Sequence, residues 1–144
     1  FNHRLNLAAA VLIKDNHLAW GAAAGADAFT PATAVEAARR FLAEVPESPP
    51  GGSWLVEVEV DNLQQLAQVL PAAPDIVLRD NMSLSDLSAA VELRNRQAPE
   101  VSLEASGGVN LQTVGGIAET GVDRISVGAL THNAVWLDVG LDWE

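Results

Sequence analysis

The sequence predicts an α/β fold built on a parallel sheet, and three observations carry that prediction. Short apolar runs alternate with longer segments of helical spacing, the pattern of strands joined by crossover helices. Several of these runs end in polar or glycine-bearing segments, as strands do where a parallel sheet meets its ligands. Proline, glycine and capping residues fall between the runs, so each segment has a start and a stop.

Ala8 to Ile13 is an apolar run that gives way to Lys14-Asp15-Asn16-His17, a buried strand with a polar C-terminal end. Leu18 to Phe29 is rich in Ala and Gly and receives no assignment. Thr30-Pro31 reads as an N-cap followed by proline in the first turn, with a helix over Ala32 to Val45 that Pro46 stops. Pro46 to Ser53 is a surface loop. Trp54 to Val60 alternates around Glu57 and Glu59 and reads as a strand. Asp61 is expected to cap a helix running to Leu70, with Gln64 three residues on, before Pro71 to Pro74 breaks it.

Ile76-Val77-Leu78 is the next strand and ends at Arg79-Asp80-Asn81. Ser83 caps a helix with Asp86 in its first turn, running to about Gln97 and closed by Pro99. Val101 to Ala105 is a strand. Asn110 is expected to cap a helix over Leu111 to Thr120, with Gly121 at its stop. Arg124 to Gly128 is the last strand, and a short helix is expected over Thr131 to Leu137. Five strands are too few for a closed eight-stranded barrel. An open sheet and a part of a barrel both remain open at this point.

Composition narrows the function. The 144 residues amount to about one domain. A net charge of −11 argues against nucleic-acid and anionic-membrane partners. No apolar run reaches the roughly 18–20 residues of a membrane span. Cysteine is absent, which rules out disulfides and thiolate chemistry and fits a reducing, cytoplasmic setting. Arg39, Arg40, Arg94 and Arg96 fall on predicted helices and read as solvated. Residue 1 is Phe and the only methionine is Met82, so a segment upstream of Phe1 is expected.

The strand ends hold the chemistry. In a parallel βα array the C-terminal ends share one face. Those ends supply Lys14, the only lysine, then Glu59, Asp80, Ser106-Gly107-Gly108 and Gly128, with His3-Arg4 just before the first strand. Glycine lets backbone N–H groups approach an anion closely, and two such loops separated by one helix suit a phosphate. Valine at Gly107 is expected to block that approach with modest loss of fold. His3, Arg4 and Lys14 suit carboxylates. Glu59 and Asp80 suit a hard cation, or positive charge developing on a sugar carbon. Each residue also has a plain structural reading: Lys14 snorkelling to water, Asp80 with Asn81 capping a turn, Arg4 a surface charge. The plain readings weaken jointly, because polar groups recur at the same end of the strands.

Asn2-His3-Arg4, Leu12-Ile13-Lys14-Asp15-Asn16-His17, Val56-Glu57-Val58-Glu59-Val60, Asp80-Asn81-Met82, Glu104-Ala105-Ser106-Gly107-Gly108-Val109-Asn110, Glu119-Thr120-Gly121-Val122-Asp123 and Ile125-Ser126-Val127-Gly128-Ala129-Leu130-Thr131-His132 occur in this order. Together they resemble the C-terminal half of the quinolinate phosphoribosyltransferases, the carboxylating nicotinate-nucleotide pyrophosphorylases, over almost the whole chain. The resemblance implies that residues 1–144 are the C-terminal part of an open, TIM-like α/β barrel, with the N-terminal domain absent from this chain. It implies transfer of phosphoribosyl from phosphoribosyl pyrophosphate to quinolinate with decarboxylation, giving nicotinate mononucleotide, pyrophosphate and carbon dioxide in NAD biosynthesis, with Mg2+. It implies a homodimer or larger assembly, and no activity for the segment alone.

By motif match, His3, Arg4 and Lys14 contact quinolinate. Glu59 and Asp80 lie around ribose, magnesium and pyrophosphate. Ser106, Gly107, Gly108, Val127, Gly128 and Ala129 hold the ribose 5-phosphate. Lys14, Glu59 and Asp80 form the implied catalytic set. The competing readings are a related pyrophosphorylase with another acceptor and a non-catalytic phosphate-binding fragment. The chain departs from the family pattern at Arg79, where an apolar residue usually precedes the aspartate, at Asn133 in place of a common serine, and in a longer stretch from Gly21 to Ser53.

Overall fold

The computed structural model describes residues 10–23, 29–46, 54–132 and 137. Five parallel strands form one open sheet in sequential order: β1 (Ala10–Ile13), β2 (Leu55–Val60), β3 (Ile76–Asp80), β4 (Ser102–Ser106) and β5 (Arg124–Ile125). Helices α1 (Asp15–Ala23) and α2 (Pro31–Glu44) follow β1. One helix follows each later strand: α3 (Leu63–Val69), α4 (Leu84–Gln97), α5 (Val114–Glu119) and α6 (Ala129–His132). A sequential strand order is that of an α/β barrel wall; a doubly wound sheet reverses at a switch point. Of the two alternatives, the topology selects part of a barrel.

Register partners in adjacent strands place their side chains on the same face. One face carries Val56, Val58, Val60, Val77 and Leu103, each at most 1 % exposed. These pack with Val35 of α2 and Leu66 and Val69 of α3. Burying such side chains stabilises by about 1.5–3 kcal/mol each, so this layer is the main source of stability. A smaller cluster of Leu87, Ala105, Val109 and Ile117 lies beneath the turn after β4. The opposite face carries Glu57, Glu59, Ile76, Leu78, Glu104 and Arg124. It is the inner face of the barrel wall.

Helix starts follow capping chemistry, with two displacements from expectation. Thr30 and Thr33 satisfy each other's backbone N–H groups at the start of α2. Ser83 accepts from Asp86 N at 3.1 Å. The cap of α3 is Asn62, whose side chain accepts from Gln65 N at 2.9 Å, rather than Asp61. Asp61 stands one residue outside and donates its N–H to Gln65 Oε1 at 2.7 Å. The two adjacent residues both offer a suitable oxygen, and it is Gln65 rather than Gln64 that reaches back, past the cap to Asp61, so no full capping box forms.

Asn110 caps a turn instead of a helix: its Oδ1 accepts from Gln112 N and Thr113 N at 2.9 and 3.1 Å. The helix therefore begins at Val114, not Leu111. Gly121 ends it at φ +86°, as glycine readily does. β5 stops at Ile125 rather than Gly128, although Ser126 N still reaches Ala105 O at 2.8 Å. Helix α6 starts at Ala129, ahead of Thr131, and α1 occupies residues that received no clear assignment.

Two helix arginines expected in solvent are instead paired with aspartates that precede strands. Asp75 Oδ2 accepts from Val56 N at 2.7 Å and from Arg39 Nη2 of α2 at 2.8 Å. Asp123 Oδ2 accepts from Leu103 N at 2.8 Å and from Arg94 Nη1 of α4 at 2.6 Å. Arg94 is 6 % exposed. The same device thus ties the N-terminal ends of β2 to β3 and of β4 to β5.

Arg79 is fully buried and faces the helix layer, on the side of β3 opposite Asp80. Its Nη1 donates to Asn62 O at 2.8 Å and its Nη2 contacts the Met82 sulfur. Burial pushes its guanidinium down to about 10; Asp86, then Asp61, partly oppose that shift.

Candidate functional site

The candidate residues on the five strands converge at one rim. Lys14 directly follows β1, Glu59 is the penultimate residue of β2, and Asp80 and Ser106 end β3 and β4. Asp80 and Ser106 are register partners, so the carboxylate and the head of the first glycine loop sit side by side. One row below, Glu59, Leu78, Glu104 and Arg124 align across the inner face. Lys14 extends this row beside Glu59, because Ile13 pairs with Val58. His3 and Arg4 lie outside the described residues.

Lys14 Nζ stands 3.3 Å from Glu59 Oε2. The lysine side chain is 46 % exposed and the glutamate side chain 12 %. That oxygen is buried without a hydrogen-bond partner, so charge alone holds it. An anion arriving at Lys14 would compete with Glu59 for the ammonium. His17 Nδ1 accepts from Lys14 N at 3.0 Å and fixes the backbone that carries the lysine.

Asp80 is held by its neighbour. Asn81 Nδ2 donates to Asp80 Oδ2 at 2.7 Å, and Asn81 N donates to Ser106 O at 3.0 Å. Asn81 has φ +52°, a left-handed conformation that Asn tolerates better than most residues. Gly107 lies hard against it. A Cβ on Gly107 would stand 2.3 Å from Asn81 Oδ1 and 2.7 Å from Asn81 N, at φ +86°. The glycine there is required by the fold, and the expectation that valine would cost little stability is corrected. Gly108 also has positive φ, +61°, yet a Cβ there would meet nothing within 4 Å. Gly108 is therefore the member of the pair open to a ligand.

The second loop, Val127-Gly128-Ala129, leads from β5 into α6. A Cβ on Gly128 would meet only His132 Cδ2, at 4.0 Å. Two open glycine positions thus follow adjacent strands at the same rim. Sequence reasoning missed Asn81 and Glu104 as members of this constellation. Glu104 is 7 % exposed on the inner face, accepts from Ser126 Oγ through Oε1, and has Arg124 Nε 3.2 Å from Oε2. The signal was present, since Glu104 has the strand parity of Ser102 and Ser106.

A cavity of about 570 Å³ opens at the other end of the sheet, lined by Leu55, Asp75, Ile76, Ser102 and Arg124 among others. None of the candidate residues lines it. It lies at the strand N-termini, the stability end of such folds, so the rim rather than the cavity is the candidate site.

The family model described as quinolinate phosphoribosyl transferase, C-terminal domain, matches residues 1–142. The nicotinate-nucleotide pyrophosphorylase [carboxylating] of Mycobacterium leprae is 44 % identical over 141 residues, covering 98 % of this chain and 44 % of that protein. The human protein of the same name is 35 % identical over 140 residues, covering 97 % of this chain and 42 % of the relative. The solved nicotinate-nucleotide pyrophosphorylase of Francisella tularensis superposes with a TM-score of 0.69 at 39 % identity, covering 91 % of this chain and 39 % of that one. The chain spans less than half the length of these relatives.

Proposed function

The chain belongs to the quinolinate phosphoribosyl transferase family, as its C-terminal domain, and from that premise we propose that it is the C-terminal part of the α/β barrel of a longer, decarboxylating enzyme. That enzyme joins phosphoribosyl pyrophosphate to quinolinate, giving nicotinate mononucleotide, pyrophosphate and carbon dioxide. The observation that carries the proposal is the pairing of Asp80 with Ser106 at the rim, with an open glycine loop on each of two adjacent strands.

The roles are assigned by motif match, and the rim geometry supports those of the residues that the structure describes. The loops at Ser106, Gly107 and Gly108 and at Val127, Gly128 and Ala129 present backbone to the ribose 5-phosphate. Lys14, with His3 and Arg4, takes the acceptor carboxylates. Release of pyrophosphate leaves positive charge on the anomeric carbon. Asp80, oriented by Asn81, and Glu59 stabilise that charge electrostatically. Anion binding at Lys14 loosens its hold on Glu59, leaving the glutamate freer to act.

The donor set fits magnesium in one particular way. No group of three or more His, Asp or Glu able to hold a metal ion occurs among the described residues. One or two carboxylates plus substrate phosphates are the usual surroundings of Mg2+ that travels with a polyphosphate. Asp80 and Glu59, whose Oε2 is a buried acceptor without a hydrogen bond, are the residues that would hold it. When bound, it neutralises charge on the departing pyrophosphate.

The proposal extends to a homodimer or larger assembly in the cytoplasm. Leu111 and Leu130, 92 % and 80 % exposed, supply apolar surface beside the loops, and no described helix is long and apolar enough to cross a membrane. The test is an assay of the whole protein with quinolinate, phosphoribosyl pyrophosphate and magnesium, following carbon dioxide release and nicotinate mononucleotide. Turnover of another acceptor but not quinolinate refutes the substrate. Phosphate binding without turnover of any acceptor refutes the enzyme.

A further inference from the structure

The second glycine loop hangs from a strand too short to hold it. β5 contributes two residues to the sheet, paired as Glu104 with Arg124 and Ala105 with Ile125. One backbone bond follows, from Ser126 N to Ala105 O at 2.8 Å. Beyond Ser126 the chain turns into Val127-Gly128-Ala129 and the four-residue α6. A loop meant to meet a phosphate must nevertheless be held within a fraction of an ångström.

Side chains supply what the ladder lacks. Glu104 projects from the middle of β4 onto the inner face and is 7 % exposed. Its Oε1 accepts from Ser126 Oγ, and Ser126 immediately precedes the loop. Its Oε2 is buried, with Arg124 Nε 3.2 Å away but no hydrogen bond to any protein group. Arg124 thus offsets the charge of a carboxylate that sits beneath two anion-binding loops, where bare negative charge would repel the ligand. One carboxylate fixes both ends of the segment from Arg124 to Ser126.

We propose that Glu104 is a positioning residue that latches the Val127-Gly128-Ala129 loop to β4 through Ser126, keeping it in register with the Ser106-Gly107-Gly108 loop for one phosphate. The proposal rests on the phosphoribosyl reading above and adds Glu104 and Ser126, to which that reading gives no role. A latch of this kind acts on phosphate binding and leaves the reacting carbon alone, so it alters KM and not kcat.

The test uses the whole protein with Glu104→Gln, Ser126→Ala and the double variant. Glu104→Gln preserves shape, removes the charge facing Arg124 and leaves Ser126 Oγ only the weaker acceptor of a neutral amide, and Ser126→Ala removes only the hydroxyl. Each single variant is expected to raise KM for phosphoribosyl pyrophosphate about tenfold, the scale of one lost charge-assisted hydrogen bond, with kcat and KM for quinolinate within twofold. The double variant should be little worse than either single one, because both break one latch. Calorimetry with inorganic phosphate should show the same loss without any reaction. A fall in kcat at constant KM would place Glu104 at the reacting atoms and overturn the latch, as would independent, multiplicative effects. If wild-type protein binds phosphate, weakens as stated on Glu104→Gln, and turns over no acceptor, the latch stands and the enzymatic reading fails. Wild-type protein that neither binds phosphate nor turns over overturns both.

Discussion

Replacing Arg79 with methionine should make the protein more stable. The guanidinium is fully buried between sheet and helices, and burial pushes it well below its ordinary value, down to about 10. At 1.36 kcal/mol per pH unit, keeping the charge there costs about 3 kcal/mol. What would be lost is small. The Asn62 carbonyl that accepts from Arg79 at 2.8 Å also accepts from Leu66 N at 3.1 Å, so it keeps a partner. The Met82 sulfur is a weak acceptor and is content in apolar surroundings. An apolar chain of similar length should therefore gain about 1–3 kcal/mol, the range seen when buried ionic groups are replaced by well-packed apolar ones.

The pH dependence gives a second check. A cation with a depressed native value binds fewer protons than the unfolded chain only above about pH 10. The penalty is complete below that and is relieved as pH rises further. Urea denaturation of wild type and Arg79→Met should thus give curves offset by a constant amount between pH 6 and 9. A destabilised Arg79→Met beside an unchanged Arg79→Lys would refute the reasoning, because it would show that the charge contributes net stability through its contacts.

Other substitutions separate fold from function. Lys14→Met retains the apolar stem and breaks a pair that is 46 % exposed on the lysine side, so stability should change by less than about 1 kcal/mol while quinolinate affinity, read by calorimetry, falls about tenfold or more; unchanged affinity in the folded variant sinks the assignment. Gly108→Ala should cost only the left-handed backbone penalty of about 1–2 kcal/mol, whereas Gly107→Ala adds a clash with Asn81 and should cost clearly more, as thermal melts will show; equal melts would contradict the geometry. Arg94→Met strips a 6 % exposed cation from Asp123 and should destabilise by about 2–4 kcal/mol in urea, an effect absent if that pair were superficial.

The sheet was legible because its strands are self-announcing. Val56, Val58 and Val60 alternate with Glu57 and Glu59, and that period of two assigns each residue to a face. The rim was legible for the same reason, since glycine and charge interrupt the pattern at the strand ends. What escaped was set by distant partners. Arg94 and Arg39 read as solvated because nothing local reveals Asp123, 29 residues away, or Asp75, 36 residues away. Helix ends shifted where two neighbouring residues compete to cap, as Asp61 and Asn62 do. α1 went unassigned because an Ala- and Gly-rich segment has no apolar stripe to read. Glu104 was overlooked because the glycines beside it drew the chemistry to themselves.

Four carboxylates divide into two populations, and the division bears on the anionic ligands proposed above. At the strand N-termini, Asp75 and Asp123 each accept from a strand N–H and from a helix arginine, so their acceptor capacity goes into the fold. On the inner face, Glu59 and Glu104 each keep a buried oxygen with no hydrogen bond, opposite one cation apiece. Such an oxygen costs stability, because a buried acceptor without a donor forfeits its hydration. A chain under selection for stability alone would satisfy it, as this one does at its other end. Lys14 and Arg124 also cancel charge that would otherwise repel a phosphate or a dicarboxylate at the rim. The incomplete pairing therefore lies where a cation or a cationic reacting carbon can complete it, and the satisfied pairing lies where only the fold has to be held.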